Sequence, residues 1–316
     1  MERKQIIILF LVVNFYSNNG LAKKFNRSNQ VLHETHRSAN TNLKWTQVDS
    51  NHEVNIKNLI YFLSKSDTGQ KLLLKAQQRA AKIGETLLDV IHAGNGSLTD
   101  TTLIRKFLAN NPLHVIYESK SKIYINSNLT IIDAVLDLAH ELTHFAYRGH
   151  FNPYSKNFSL DHFIESTVEG VGGEVDAYIT ECKVLSEVFK QNQQNRYHCR
   201  RILNDNGEGL SFQRAKEEFY KVGRYYDKFK AKLKNLGVKK ISPFLSDKEP
   251  IFISSAYGRP YPIAALEEYL SVMGHVCEND KKRLEYINLE SSQNDQSIEK
   301  YRNQLKLFKS RCTELL

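Results

Sequence analysis

Apolar residues recur every three or four positions over most of the chain from residue 54 onward, a period typical of amphipathic helices. The pattern predicts helices over residues 56–63, 69–93, 101–110, 128–144, 159–191, 212–236, 263–287 and 296–312, the last two as a hairpin. Two short runs rich in β-branched and aromatic residues, 114–118 and 122–126, predict a hairpin or a pair of sheet strands, with a turn at 119–121 in the hairpin. The expected fold class is therefore α+β and predominantly helical, with a small sheet beside the helix at 128–144.

The first 52 residues differ from the rest of the chain. Arg3 and Lys4 precede eight apolar residues at 6–13, and Gly-Leu-Ala at 20–22 offers a cleavage site, so residues 1–22 are expected to be a signal peptide. The apolar run is shorter than the roughly 20 residues that cross a membrane, and no later segment approaches that length. We therefore expect an exported protein, secreted or periplasmic, without a transmembrane domain.

Composition also divides the chain after the signal peptide. Residues 23–52 are rich in Asn, Ser, Thr and Lys, which predicts a flexible lead-in or pro-segment. Residues 53–316 are long enough for one large domain whose C-terminal part is a helical extension.

All four cysteines lie in the second half of the chain, and an even number in an exported protein favours disulfides. Three pairings are possible. We expect Cys182–Cys199 and Cys277–Cys312, because each pair brackets a segment that resembles a helix–turn–helix. A cysteine zinc site is not expected, since no CxxC spacing occurs.

The chain is basic, with a formal charge of +9, and loss of Glu2, Arg3 and Lys4 with the signal peptide would leave +8. Such an excess would let an exported protein associate with an anionic cell-envelope surface. The basic residues are scattered along predicted helices without an interleaved aromatic repeat, so nucleic acid is not an expected partner.

The main candidate chemistry lies at residues 140–144, which read His-Glu-Leu-Thr-His at the end of a predicted helix. This spacing places two imidazoles one turn apart on one helix face, where they can share a Zn²⁺ ion. Glu141 lies beside the first imidazole and can take a proton from water near the metal. The alternative is that His140 and His144 are ordinary polar side chains on a half-buried helix.

A catalytic zinc site needs a third protein ligand and keeps one position open for water. The predicted helix at 159–191 contains four acidic candidates: Glu165, Glu169, Glu174 and Asp176. Glycines at 170, 172 and 173 would weaken a helix. We therefore expect either a close approach to the metal-binding helix or a break in the helix just before Glu174.

The HExxH sequence at 140–144, followed after 29 residues by Glu174-Val-Asp-Ala-Tyr, resembles the gluzincin metallopeptidases, particularly the small minigluzincin-like ones. The resemblance covers a small part of the chain. It implies a zincin-like core in which His140, His144 and Glu174 hold one Zn²⁺ per chain. It also implies that the residue one turn after Glu174, here Tyr178, braces a metal-binding histidine.

Two other candidates for the third ligand remain open. His150 lies ten residues after His140, where the metzincin group has its third histidine, but Tyr147 stands in place of the glycine that turns the chain there. Glu169 is the other candidate.

The expected function is a zinc-dependent metallopeptidase that hydrolyses a peptide or protein substrate, with Glu141 as the general base. Tyr257, in a polar, turn-forming segment, is a candidate hydrogen-bond donor to the transition state, and His150 and His162 are others. The edge of the predicted sheet could bind an extended peptide, or the strands could be purely structural. The alternative function is a catalytically inactive zincin scaffold that binds a peptide, a cell-wall polymer or a protein partner.

Overall fold

A computed structural model describes residues 13–14, 43–108, 111–149, 151–155, 157–189, 197–207, 209–238, 240–291 and 295–312. Most of the predicted signal peptide, residues 23–42 of the predicted lead-in, and His150 therefore lie outside the described residues. The described helices are α1 (His52–Leu63), α2 (Asp67–Lys82), α3 (Leu87–Val90), α4 (Ile131–Tyr147), α5 (Leu160–Val168), α6 (Glu174–Val188), α7 (Tyr197–Arg201), α8 (Phe212–Phe219), α9 (Tyr226–Asn235), α10 (Tyr261–Ser291) and α11 (Asp295–Cys312).

The strands form two small sheets. They are β1 (Val13–Asn14), β2 (Ile91–Gly94), β3 (Leu98–Leu108), β4 (Asn111–Asn126), β5 (Ile253–Ser254) and β6 (Arg259–Pro260). The larger sheet has the order β1-β3-β4-β2, in which β2 runs parallel to β4 and the other pairs are antiparallel. Strands β5 and β6 form an antiparallel pair. The predicted α+β, mostly helical fold is confirmed.

Helix α4 lies at the centre of the hydrophobic core. Thr130 caps its first turn by accepting a hydrogen bond from the backbone N–H of Asp133 at 3.3 Å. Its apolar face, which includes Val135, Leu138 and Leu142, is fully buried. The helix packs against α1, α2, α6 and the larger sheet, so the histidines near its C-terminal end are held on a rigid element.

The prediction of a helix at 101–110 is wrong, because residues 98–108 form strand β3. Its buried apolar residues Leu103 and Phe107 are four positions apart, a spacing that fits one face of a helix as well as one face of a strand. The predicted turn at 119–121 is also wrong, since β4 continues through it. There Ser121 pairs with Thr101 of β3, and their hydroxyl oxygens are 3.0 Å apart.

Glycines with positive φ interrupt the predicted helices at 69–93 and 212–236. Gly84, at φ +75°, follows α2, after which Thr86 caps α3 and the chain enters β2, so the predicted helix at 69–93 is three elements. Gly223, at φ +54°, separates α8 from α9 within the predicted helix at 212–236.

Both predicted disulfides are present: Cys182–Cys199 joins α6 to α7, and Cys277–Cys312 joins α10 to α11. The folded part of the chain begins before the predicted boundary at residue 53, because Trp45 is only 1% exposed and its indole N–H donates to a backbone oxygen of β4 at 2.9 Å. Within the described residues, every helix is too short or too polar to cross a membrane.

Candidate metal centre

Three predicted ligands converge where α4 meets the start of α6. The Nε2 atom of His140 lies 3.4 Å from Oε2 of Glu174, and Nε2 of His144 lies 3.5 Å from Oε1 of the same carboxylate. The three donor atoms lie within 4.8 Å of one another. Metal–ligand distances of about 2.1 Å in a tetrahedral site put neighbouring donors about 3.4 Å apart. The group therefore has the spacing of a metal-binding site.

A tight turn before α6 brings Glu174 to the histidines, so the predicted helix at 159–191 breaks where its glycines occur. Gly172 has φ +70°, and a Cβ atom at this position would lie 2.4 Å from the backbone nitrogen of Arg148. Its carbonyl oxygen lies 2.8 Å from Nδ1 of His144. When Nδ1–H donates to this carbonyl, the Nε2 lone pair of His144 is left for a metal.

The other histidine is oriented by a carboxylate that sequence reasoning missed. Oε2 of Glu181 lies 3.5 Å from Nδ1 of His140, on the side of the ring opposite Glu174. The ring of Tyr178, the predicted brace, packs against Phe219 and Phe252. Glu181 follows Glu174 by seven residues, and this two-turn spacing on one helix was the signal that could have found it.

The charges around the ligands favour an ionised carboxylate. Burial alone would raise the pKa of Glu174, but His144, His140 and Arg148 together lower that pKa well below its ordinary value. Burial would lower the pKa of His140, whereas its contacts with Glu174 and Glu181 raise it well above the usual value. Arg148 also donates a hydrogen bond to Oε1 of Glu174 at 3.2 Å.

Glu141 is buried beside the donor group and is held by the sheet. The hydroxyl of Thr99, on β3, lies 2.8 Å from both the backbone oxygen and Oε2 of Glu141. One turn earlier on α4, burial together with the nearby charge of Glu181 raises the pKa of Asp137 to about 7. Strand β3, most of which the sequence predicted as a helix, therefore flanks α4 through Thr99.

A tyrosine close to the group is Tyr261, at the start of α10. Burial and the neighbouring carboxylates, Glu174 first among them, raise its pKa well above the ordinary value, and its side chain hydrogen-bonds to Glu174. The predicted Tyr257 lies in the turn between β5 and β6. Burial raises its pKa as well, but its charged neighbours are Glu268 and Glu267.

The remaining sequence candidates lie elsewhere. Glu169 accepts a hydrogen bond from the hydroxyl of Tyr220 at 3.0 Å and pairs with Lys216 at 2.6 Å. Asp176 accepts from the backbone N–H of Gly172, which supports the turn. Glu165 and His162 are exposed on α5.

Comparison of the chain with protein-family models, with curated proteins and with solved structures finds no match in any of the three. The functional assignment therefore depends on the geometry of the site. Two imidazole nitrogens and one carboxylate, from His140, His144 and Glu174, form a group that could hold a metal ion.

Proposed function

We propose that this protein is a zinc-dependent metallopeptidase in which His140, His144 and Glu174 hold one Zn²⁺ ion. The supporting observation is that Glu141, which lies on α4 between the two histidines, is buried beside the three donors and is not one of them. Two histidines and a glutamate are a donor set that catalytic zinc sites use. A structural site would need a fourth protein ligand, and the donor group among the described residues has three.

Glu141 is the proposed general base. Bound zinc would lower the pKa of a coordinated water to about 7 and would polarise the scissile carbonyl. The hydroxyl of Thr99 donates a hydrogen bond to Oε2 of Glu141 and so holds the carboxylate in place. The other oxygen, Oε1, can then take a proton from the attacking water. The same carboxyl group can then deliver that proton to the leaving amine.

Tyr261 is the proposed hydrogen-bond donor to the developing negative charge on the carbonyl oxygen. Its raised pKa keeps the hydroxyl protonated at neutral pH, as a donor must be. The substrate would lie along residues 98–101 of β3, beyond the short pairing of β1 with residues 102 and 103. An extended peptide there would add backbone hydrogen bonds to the sheet close to Glu141.

We also propose that the protein acts outside the cytosol. The two disulfides support this location, because disulfides persist in oxidising compartments and are rare in the cytosol.

The metal is tested by elemental mass spectrometry on purified protein supplied with zinc. About one zinc per chain is expected in the wild type and in Glu141→Gln, with loss or marked weakening in Glu174→Ala. Glu165→Gln, which changes an exposed acid on α5, is the matched control and should keep its zinc. A folded wild type that takes up no zinc would overturn the proposal.

Activity is tested by mass spectrometry of a mixed peptide library incubated with the zinc-loaded protein. Cleavage by the wild type and by Glu165→Gln is expected, with a loss of at least about 100-fold in Glu141→Gln. A Glu141→Gln protein that binds zinc and cleaves at the wild-type rate would refute the role of Glu141. Zinc binding without cleavage of any peptide would favour a binding scaffold.

A further inference from the structure

A cavity of about 400 Å³ lies between the β3–β4 hairpin and the α10–α11 hairpin, and we call it the cationic cavity. Arg105 of β3 lines it, six residues after Thr99, which contacts Glu141. At about 3.3 Å per residue, six residues of strand separate the two positions by about 20 Å. The cavity is thus distinct from the candidate metal centre, and its volume falls within the range of about 300–1,000 Å³ seen for small-molecule sites.

The lining of this cavity is strongly cationic. Arg105, Arg283 and Arg311 line it from β3, α10 and α11, and Asp280 is the acidic residue among the lining side chains. The two oxygens of Asp280 accept from Arg105 at 2.7 Å and from Arg311 at 2.5 Å. One carboxylate against three guanidinium groups leaves a positive excess of two charges.

The electrostatics of Arg283 agree with a local positive potential. Its pKa is lowered, first by burial and then by the charge of Arg105. An anion bound in the cavity would relieve this repulsion, because opposite charges within a few ångströms favour the charged form of each group.

Two buried polar atoms in the lining lack a partner among the described residues. The side chain of Arg105 is 6% exposed, and its Nε–H makes no hydrogen bond, although other atoms of the same guanidinium bind Asp280. The hydroxyl of Tyr154, whose ring lies 3.9 Å from the guanidinium carbon of Arg105, is likewise buried without a hydrogen bond of good geometry. Buried donors of this kind are costly unless a ligand or water satisfies them.

The lining also contains apolar side chains, Leu284 and Ile287 on α10 and Leu307 and Phe308 on α11. We propose that the cavity binds a phosphate or sulfate group carried on a small apolar body, the oxyanion against the arginines and the apolar part against these side chains. Planar guanidinium groups bind such oxyanions through paired hydrogen bonds. The proposal does not depend on the metallopeptidase function.

Isothermal titration calorimetry with hexyl phosphate tests the proposal on the full disulfide-bonded protein. Binding to the wild type is expected, with affinity reduced at least about tenfold in Arg283→Gln. Lys282→Gln removes the same charge from a neighbouring exposed position on α10 and should change the affinity less than about twofold. Failure of hexyl phosphate to bind the wild type, or equal losses in both variants, would overturn the proposal.

Tyr154→Phe gives a test that does not depend on the folding of an arginine variant. Removal of a hydroxyl that makes no hydrogen bond of good geometry among the described residues should leave the unfolding midpoint unchanged or slightly raised, while hexyl phosphate binds several-fold more weakly. Full affinity in this variant would contradict the role of Tyr154.

The apolar part of the ligand is tested by comparing three probes. Hexyl phosphate should bind more tightly than inorganic phosphate, and hexyltrimethylammonium should not bind. Equal affinity for inorganic and hexyl phosphate would overturn the apolar subsite, and binding of the cation would overturn the anion site. Tighter binding to vesicles that contain an anionic phospholipid than to neutral vesicles would identify the source as a lipid headgroup. Equal binding to both vesicles, with hexyl phosphate still bound, would identify a soluble phosphate ester.

Discussion

At the scale of single residues, Gly172 determines whether the two segments of the candidate metal centre can meet. Its carbonyl lies against His144, its N–H donates to Asp176, and it packs against the end of α4 without room for a side chain. We expect Gly172→Ala to lower the free energy of unfolding by at least about 2 kcal/mol, since both positive φ and a backbone clash oppose the methyl group. Chemical denaturation measures this loss.

Two other glycines allow the effect of positive φ to be measured apart from the effect of the backbone clash. Gly84 has a positive φ of +75° but open space around its Cβ position, so Gly84→Ala should cost only about 1–2 kcal/mol. Gly149 has open space and no positive φ, so Gly149→Ala should change stability little. A Gly172→Ala protein as stable as Gly149→Ala would contradict the close approach.

Glu181 should tune the metal affinity through His140. Its carboxylate holds Nδ1 of the ring, and loss of such a partner typically weakens metal binding about 10- to 100-fold. We expect that loss of zinc affinity in Glu181→Gln, measured by competition with a chelator. Tyr178→Phe is the control and should bind zinc normally, because its ring packs against aromatic side chains. The reverse result would restore Tyr178 as the brace.

Under the proposed function, substitutions of Tyr261 and Tyr257 should have different effects on kcat. At saturating zinc, Tyr261→Phe should lower kcat by about 10²- to 10³-fold, as removal of a transition-state donor does. Tyr257→Phe should leave kcat within about threefold of the wild type, since its charged neighbours are Glu267 and Glu268. Steady-state kinetics on one cleaved peptide decides between them, and a larger loss in Tyr257→Phe would reverse the assignment.

At the scale of elements, helix α6 has two roles. Its first residue, Glu174, belongs to the candidate metal centre, and Glu187 in its last turn holds the start of α2. Glu187 accepts hydrogen bonds from Ser66 and from the hydroxyl and N–H of Thr68, at the start of α2. Burial by itself would raise the pKa of Glu187, but these hydrogen bonds lower it below the ordinary value. Glu187→Gln should therefore lower the free energy of unfolding at neutral pH by about 1 kcal/mol.

The dependence on pH follows from the direction of that shift. A carboxyl group whose pKa is lowered on folding stabilises the protein above its unfolded pKa of about 4.3, and the stabilisation is lost as the pH falls through the folded value. The difference in stability between wild type and Glu187→Gln should thus be constant from pH 6 to 7 and shrink below about pH 4. A difference in stability that grows as the pH falls would contradict the proposed role of the Glu187 carboxylate at the start of α2.

At the scale of the whole molecule, the two disulfides stabilise different sites. Cys182–Cys199 ties α6, which carries Glu174, to α7, whereas Cys277–Cys312 ties α10 to α11 beside the cationic cavity. Their sequence separations of 17 and 35 correspond to about 3 and 4 kcal/mol of chain entropy. We expect the paired change Cys277→Ser and Cys312→Ser to lower stability by about 4 kcal/mol and to weaken hexyl phosphate binding while zinc is retained.

The matching change, Cys182→Ser with Cys199→Ser, should weaken zinc binding and leave hexyl phosphate binding unchanged. It should lower stability by about 3 kcal/mol and weaken zinc binding, because α7 carries His198, 4.0 Å from Glu181. Denaturation, metal analysis and calorimetry on both variants measure the pattern. Equal effects on both ligands would mean that the two sites are not independent.

The sequence by itself determined the features that depend on neighbours within one or two turns. His140, Glu141 and His144 needed only the 3.6-residue period of α4, and the long helices α10 and α11 were equally plain. The glycines before Glu174 also predicted either a close approach to α4 or a break in the helix, and Gly172 combines both. Features of this kind can be read from the sequence because local backbone geometry fixes which side chains share a face.

Only the tertiary structure decided the features that need segments distant along the chain. The spacing of Leu103 and Phe107 fits helix and strand alike, and pairing with β4 selected the strand. Tyr261 and Thr99 reach the site from α10 and β3, so no spacing near the HExxH sequence could indicate them. The cationic cavity likewise combines arginines from β3, α10 and α11, and such packing is set by burial of the whole core and not by local propensity.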